Sequence, residues 1–319
     1  MSPPRETRDA AASVRRRLLN LAREREVDYN LVLQRYAAER FLYRLAVSGE
    51  VDRFTLKGAT LFRVWTGQEL RPTRDVDFLA AGPEDPAALR TALAAVCGIP
   101  CPEDGVVFDP ASIRIDDIRD EQPYGGLRAR IKGSLGRARL ALQVDVGFGD
   151  VITPEREERD YPTLLDLPAP RLWTYPRETL IAEKLEAMVH LGAVNSRVKD
   201  LWDIACLARR FVFDGETLRT TVAETFRRRG TAFAGERPAA LLPAYYEDAP
   251  RARRWRELRR QIGTETDGPA RLVDAGEELR RFLGPVCDSI IEDSPFTQAW
   301  PAGGPWRTGI QARTGDEGS

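Results

Sequence analysis

Two segments decide the fold: Phe54-Thr55-Leu56-Lys57-Gly58-Ala59-Thr60 and, after residues 61–74, Asp75-Val76-Asp77-Phe78-Leu79. The first predicts a short strand that ends in a glycine turn, and the residues after the turn predict a short helix. In the second, strand alternation places Asp75 and Asp77 on one face and Val76 and Phe78 on the other. The sequence therefore predicts a sheet with two acids on one strand and a glycine turn at the end of another.

The remaining pattern divides the chain into a mixed middle and a helical second half. Before the first strand, residues 9–24 and 29–45 have apolar residues at helical spacing. The middle predicts a helix at 87–97 and strands at 106–108, 113–118, 127–131 and 140–146, which indicates an α/β or α+β arrangement. Helical patterns then cover residues 178–191, 197–210, 216–228, 251–262 and 270–283. We predict N-terminal helices in residues 1–50, a core in 51–170 that ends in a hinge, a helical domain in 171–293, and a flexible Gly/Pro-rich tail in 294–319.

Composition excludes several classes of function. The 319 residues contain 48 Lys and Arg against 49 Asp and Glu, so the chain as a whole has no general attraction to nucleic acid or acidic membranes. No apolar run is long enough to cross a membrane and the N-terminus lacks a signal-peptide core, so we expect a cytoplasmic protein. Four cysteines without a CxxC pair and a single histidine, His190, argue against zinc and thiol chemistry. A bound metal would use oxygen ligands.

The acidic strand is a candidate metal site. Asp75 and Asp77 project to one side of the strand, where two carboxylates can bind a hard divalent cation. Asp145 lies in another apolar strand pattern, Leu142-Gln143-Val144-Asp145-Val146, where an unpaired carboxylate would be expensive to bury. A third acid on a neighbouring strand would complete a two-Mg²⁺ site. The alternatives are a solvated strand face for the pair and a water-facing edge-strand acid for Asp145.

The glycine turn is a candidate phosphate site. Gly58 permits close backbone approach, the following helix start offers free N–H groups, and Thr60 adds a hydroxyl donor. The turn is not a Walker A loop, because the GxxxxGK[ST] spacing is missing. Only four basic residues are lysine, and in an Arg-rich chain each is a candidate for a position that needs a compact ammonium: Lys57, Lys132, Lys184 and Lys199.

Two predicted helices in the second half carry further candidates. Lys184 follows Glu183 in an amphipathic helix and could either contact a phosphate or pair with Glu183 or Glu186 on the surface. Asp200 and Asp203 share one face at the start of the next helix. They could orient an attacking hydroxyl or pair with neighbouring basic residues such as Arg197 and Lys199.

Taken in order, these motifs resemble the AbiEii/AbiGii family of nucleotidyltransferase toxins. The resemblance covers residues 54–207 and is carried by the Lys57–Thr60 turn, the segment from Arg71 to Asp77, Asp145, Glu183-Lys184, and Arg197-x-Lys199-Asp200-x-x-Asp203. It implies an α+β fold with a DNA-polymerase-β-like core, a mixed sheet with helices, and a mainly helical C-terminal domain. Ala59 departs from the usual KGGT motif of the family, in which a second glycine occupies this position.

The resemblance also implies residue roles. Asp75, Asp77 and Asp145 correspond to metal ligands for Mg²⁺, with two ions expected, and Gly58 and Thr60 to the phosphate turn. Lys184 corresponds to a triphosphate contact and Asp200 to an acid near the active site. Additional contacts to the nucleoside triphosphate (NTP) are expected from Lys57, Arg71 and Lys199.

The implied activity is transfer of a nucleoside monophosphate (NMP) from an NTP, with pyrophosphate release, to the 3′ end of tRNA, which inhibits translation and growth. The implied partners are tRNA, an NTP and a winged-helix antitoxin encoded nearby, within a toxin–antitoxin or phage-defence locus. Protein or small-molecule acceptors and a noncatalytic nucleotide-binding module remain alternatives.

Two arginine clusters are compatible with an RNA acceptor. Six arginines between positions 251 and 260 surround Trp255, and Arg227-Arg228-Arg229 follows Phe226. Arginines could bind phosphates while the aromatic rings stack on bases. The alternative is an ordinary solvated helix face.

Overall fold

A computed structural model describes residues 5–73, 75–118, 125–192, 195–233, 235–263 and 268–308, with side chains from Asp9 onward. The chain forms two compact units. The sheet unit comprises Met1–Glu69, Thr73–Gly149 and Arg156–Tyr175. The helical unit comprises Leu70–Pro72, Asp150–Glu155 and Pro176–Ser319.

The sheet unit is built on a mixed sheet. Its strands are β1 (Phe54–Lys57), β2 (Asp75–Ala80), β3 (Val106–Asp117), β4 (Gly126–Leu135), β5 (Ala138–Phe148), β6 (Glu157–Asp160) and β7 (Arg171–Thr174). Their order in the described residues is β3-β4-β5-β2-β1-β7-β6. The pairs β2/β5 and β1/β7 are parallel, and the other neighbouring pairs are antiparallel. The acidic strand β2 therefore lies in the interior of the sheet, where both of its edges are paired.

Helices cover part of this sheet. They are α1 (Arg5–Glu24), α2 (Tyr29–Ala46), α3 (Leu61–Thr66) and α4 (Pro86–Gly98). The α2 helix begins at Asp28, whose side chain accepts a hydrogen bond from the Leu31 amide. Helix α2 packs against β5 and β7 and buries Phe41 and Leu42 completely. The N-terminal helices are thus part of the same compact unit as the sheet.

The helical unit contains six α-helices, α5 (Arg177–Leu191), α6 (Val198–Arg210), α7 (Gly215–Arg229), α8 (Pro243–Tyr246), α9 (Ala249–Ile262) and α10 (Leu272–Ile291), in its described residues. It also contains a two-stranded antiparallel sheet of β8 (Phe213–Asp214) and β9 (Ala299–Trp300). Together with the mixed sheet, these helices confirm the predicted α+β class. None of the helices in the described ranges is long and apolar enough to span a membrane.

The sheet differs from the sequence prediction at two places. The strands predicted at 106–108 and 113–118 are one strand, β3, whose register against β4 shifts between Asp109 and Arg114. Pro110 lies inside this irregularity, and because proline has no N–H to donate, it accounts for the apparent break in the pattern. Strands β6 and β7 were not predicted, because each is only four residues long and β6 consists of charged residues.

The prediction of a flexible tail from Ser294 is wrong for residues 294–308. Phe296 and Trp300 are buried, and the Trp300 indole donates a hydrogen bond to the Ala208 carbonyl at 2.7 Å. The Trp306 ring stacks on Phe282 with centroids 5.8 Å apart. These aromatic residues anchor the segment to the helical unit despite its Gly and Pro content. Residues 309–319 lie outside the described residues.

Candidate active site

Three carboxylates share one face of the central sheet. Asp75 and Asp77 alternate with buried Val76 and Phe78 along β2, as predicted. In the parallel β2/β5 pair, Asp77 lies directly opposite Asp145 and Asp75 lies opposite Gln143. Directly opposed residues project to the same face of a sheet. The register therefore brings the third acid of the sequence motif beside the first two.

Asp145 is held by an arginine, Arg128, that no sequence motif indicates. Arg128 lies opposite Asp145 on β4 and donates from Nε to Oδ1 at 2.9 Å and from Nη2 to Oδ2 at 2.7 Å. The two side chains are 26% and 15% exposed. Since β5 lies between β4 and β2, the edge-strand alternative for Asp145 is wrong. Arg128 could have been predicted as a partner of Asp145 if the two consecutive strands had been aligned as an antiparallel hairpin, because the two residues are then directly opposite each other.

The oxygen atoms on this face are of the kind that a hard cation binds, and those of Asp145 accept hydrogen bonds from Arg128. Three carboxylates on one face offer the oxygen ligands that Mg²⁺ prefers. Within the described ranges, no group of three or more His, Cys, Asp or Glu residues is arranged to hold a metal. Arg128 competes with a cation for Asp145, because each oxygen of this carboxylate already accepts one hydrogen bond from the guanidinium group. The predicted roles of Asp75, Asp77 and Asp145 as metal ligands stay predictions.

The glycine turn lies directly against the acidic strand. β1 pairs with β2, so Lys57 is opposite Asp77, and the chain turns at Gly58 with φ +75°. A Cβ atom at Gly58 would lie 2.1 Å from Asp77 Oδ2 and 2.8 Å from its Cγ. Glycine is therefore required twice, by the left-handed backbone and by the contact with the carboxylate. Two motifs that are separated in sequence meet here.

The other residues of the turn are also held within the sheet unit. Thr60 is buried, and its hydroxyl donates to the Asp75 carbonyl at 3.4 Å, which links the turn to the start of β2. The Lys57 ammonium lies 5.4 Å from the centroid of the Tyr175 ring. Ala59, which replaces the usual second glycine, is buried, so its methyl group is covered by protein. Phosphate binding by Lys57, Gly58 and Thr60 stays a prediction.

The helical unit contains its own charged cluster. Lys184 Nζ lies 2.7 Å from Asp200 Oδ1 and 2.9 Å from Asp203 Oδ2. Arg71 donates two hydrogen bonds to Asp203, at 2.7 and 2.8 Å. Arg197 lies 2.9 Å from the second oxygen of Asp200, as one of the sequence alternatives proposed. Lys199, the remaining candidate contact, is exposed on the first turn of α6.

Burial and charge oppose each other in this cluster. Burial alone would lower the pKa of Lys184, but the negative charges of Asp200 and Asp203 outweigh it and leave that pKa raised. Burial alone would raise the pKa of Asp203, but Arg71 and Lys184 leave it lowered. Both groups are thus charged around neutral pH. Lys184 pairs with Asp200 and Asp203, whereas Glu183 and Glu186 both bind Arg229.

The aromatic residues of the arginine clusters are in the core. Trp255 is 1% exposed, and its indole donates to the Ala270 carbonyl. Phe226 is buried and stacks on Phe233 with ring centroids 4.5 Å apart. Neither ring can serve as a stacking platform for bases, so that expectation is wrong. The expectation failed because a helix with few apolar residues still packs on the core through those residues, here Trp255 and Phe226.

A mixed sheet that presents three carboxylates beside a glycine turn defines a protein suited to phosphoryl or nucleotidyl transfer. Residues 40–280 match the family model described as nucleotidyl transferase AbiEii toxin, type IV TA system. This match spans most of the chain, and the chain belongs to the AbiEii family of nucleotidyltransferase toxins. The family of the sequence prediction is confirmed.

The structure is also similar to solved structures from Helicobacter pylori. One is a protein assigned as a nucleotidyltransferase, at 14% identity and a TM-score of 0.47, covering 85% of this chain and 100% of that chain. Another is JHP933, at 14% identity and a TM-score of 0.44, covering 83% of this chain and 95% of that chain. No curated protein matches the sequence significantly.

Proposed function

We propose that this toxin transfers an NMP from an NTP to the 3′ end of tRNA, with Mg²⁺ as the metal, and thereby blocks translation and growth. The observation that carries the proposal is the contact between the Gly58 turn and the Asp77 carboxylate, beside Asp75 and Asp145. A turn that can cradle phosphates next to a carboxylate face is the arrangement that NTP chemistry requires. The family supplies the reaction class, and the acceptor is our proposal.

In this proposal, the 3′ oxygen of the acceptor forms a bond to the α-phosphorus of the NTP. The bond from that phosphorus to the bridging oxygen breaks, and pyrophosphate leaves. Asp75 and Asp77 would hold Mg²⁺, joined by Asp145 when Arg128 releases it. When bound, the metal would neutralise triphosphate charge. The proton of the acceptor hydroxyl passes to a carboxylate of the site or to water.

The glycine turn has a separate task. Its backbone N–H groups and the ammonium of Lys57 would orient the triphosphate. Because the turn contacts Asp77, the position of the phosphates is coupled to the position of a metal ligand. Such positioning supplies much of the rate enhancement when a bond must be attacked in line.

We further propose that Lys184 and Asp200 assist this reaction, with Lys184 stabilising charge on the departing pyrophosphate, and that Arg71 supports nucleotide binding. The support is the family resemblance and the charged state of Lys184. Substitution Lys184→Arg keeps the charge but replaces a compact ammonium with a planar guanidinium. We expect reduced transfer, measured together with urea unfolding. Full transfer in a folded Lys184→Arg variant would limit Lys184 to its ion pairs with Asp200 and Asp203.

The test is incubation of the purified chain with Mg²⁺, each α-labelled NTP in turn, and three acceptor pools: bulk tRNA, total protein and small-molecule extract. Asp75→Asn serves as the control, because it removes one charge and preserves side-chain size. Label on tRNA alone, dependent on Asp75 and abolished by EDTA, is the expected result. Label on protein or on small molecules would show that the acceptor is of that class and not tRNA. NTP binding without any labelled product would indicate a noncatalytic module.

A further inference from the structure

Helix α9 presents an exposed basic face. Arg253, Arg254, Arg256 and Arg260 are exposed, and none of them forms an ion pair with a carboxylate in the described part of the chain. Arg253, Arg256 and Arg260 follow helical spacing along one side and span about 10 Å of helix axis. We call these four residues the α9 arginine face. One acid, Glu257, is exposed among them.

The opposite side of the helix fixes this face in place. Trp255 and Leu258 are buried, and the Trp202 and Trp255 rings lie 5.9 Å apart. Arg251 is also buried, donates to the Tyr245 and Asn195 carbonyls, and lies 3.8 Å from the centroid of the Tyr245 ring. Of the six arginines of α9, Arg251 anchors the helix, Arg259 is half-buried 5.0 Å from the centroid of the Trp202 ring, and the other four are exposed.

The exposed arrangement is unfavourable for the isolated chain. Arg253 and Arg256 are three residues apart and Arg256 and Arg260 are four apart, so each pair brings like charges together. Such pairs destabilise a helix by about 0.2–0.5 kcal/mol each. Glu257 lies three or four residues from Arg253, Arg254 and Arg260 and offsets part of this repulsion. Four arginines and one glutamate leave the face with a formal charge of +3, in a chain whose formal net charge is -1. A polyanionic partner would remove the repulsion.

The composition of the face indicates the class of partner. Between positions 253 and 261, the exposed residues are all charged apart from Gln261. Protein interfaces need apolar or aromatic residues at their buried centre, and this face has none. Guanidinium groups donate charge-assisted, often bidentate, hydrogen bonds to phosphate oxygens, and such contacts need no apolar neighbours. The two rings that could have stacked on bases, Trp255 and Phe226, are buried, which favours contacts to phosphates over contacts to bases.

We infer that the α9 arginine face is a docking surface for the phosphate backbone of RNA, and that it binds the body of the acceptor without reading its sequence. This inference rests on the proposed RNA acceptor. Beyond that proposal, it specifies the surface of the helical unit that binds the RNA and the chemical groups that make the contact.

The test is the salt dependence of tRNA binding by the full chain without NTP. The affinity of a fluorescein-labelled bulk tRNA is measured by anisotropy from about 50 to 200 mM KCl, a range over which phosphate contacts lose affinity steeply. The triple variant R253Q/R256Q/R260Q is compared with R16Q/R17Q/R23Q, which removes the same charge from exposed positions of α1. Circular dichroism and thermal unfolding verify that both variants are folded.

Each phosphate contact contributes about 0.7–0.9 to the slope of log affinity against log salt. We expect the α9 variant to lose about 2–3 units of slope and to bind about 100-fold more weakly near 0.1 M salt. The α1 variant should stay close to wild type. Equal losses in both variants would reduce the effect to net charge, and wild-type binding by the α9 variant would overturn the inference. So would an absence of tRNA binding in the unaltered chain.

The outcome is separable from that of the proposed function. A wild-type chain that binds tRNA through α9 but never labels it contradicts the proposed transfer and leaves the docking surface standing. A chain that labels tRNA while the α9 variant binds normally contradicts the docking surface only. If the α9 variant instead loses binding to poly-glutamate and retains tRNA binding, the partner is an acidic protein and the inference is wrong.

Discussion

Substitution Gly58→Ala should abolish most transfer activity while leaving the chain folded. The backbone at Gly58 has φ +75°, where a non-glycine residue costs about 1–2 kcal/mol. The new Cβ would lie 2.1 Å from Asp77 Oδ2, whereas real Cβ contacts begin near 3.0 Å. The carboxylate must therefore move by about 1 Å, and a displacement of that size at a reacting centre can reduce the rate about 100-fold.

Gly67→Ala is the matched control. Gly67 ends α3 with φ +70°, and a Cβ there meets nothing within 4 Å. Both variants should lose about 1–2 kcal/mol in urea unfolding, because both impose the left-handed conformation on alanine. The rate of NTP transfer should fall only in Gly58→Ala. Normal transfer by Gly58→Ala, or an equal loss in Gly67→Ala, would refute the role of the contact with Asp77.

Three further predictions concern other parts of the chain. Arg128→Gln should raise Mg²⁺ affinity severalfold in isothermal titration, since it removes the competitor for Asp145, and lower affinity would show that Arg128 holds the site together. Burial raises the pKa of Glu39 to about 7, so its protonated form is favoured in the folded state. The free energy of unfolding of the wild type should thus decrease by up to about 3 kcal/mol, relative to that of Glu39→Gln, as the pH rises from 4.5 to above 7. A difference between the two proteins that does not change with pH would contradict the raised pKa. Deleting residues 294–319 should lower Tm by several degrees because buried Trp300 is lost, whereas deleting 309–319 should not; equal melting of the two truncations would contradict the packing.

Local patterns were sufficient to predict most helices and the central strands. Alternation around Asp75 and Asp77 predicts β2. Gly58 marks the turn between β1 and α3, so these elements were predictable from a few residues. The α6 helix begins at Val198 and α7 at Gly215, within a residue or so of their predicted starts.

Pairing across the sheet could not be obtained in the same way. The sequence does not encode locally that Asp77 lies opposite Asp145, or that Arg128 is opposite the same residue, because strand register depends on the whole sheet. The same limit applies to Lys184, whose true partners are sixteen and nineteen residues further along the chain and not its helical neighbours. Burial of Trp255 was missed for a related reason, since one aromatic residue among arginines gives no periodic apolar signal.

The proposed reaction adds a nucleotide to the 3′ end of tRNA at the acidic face of the sheet. The most direct measurement compares incorporation of α-labelled NMP into intact tRNA and into tRNA whose 3′ ribose has been oxidised with periodate, for the wild type and Asp77→Asn. We expect label only on intact tRNA and only with the wild-type chain. Label on oxidised tRNA, or undiminished label with Asp77→Asn, would contradict the proposed reaction.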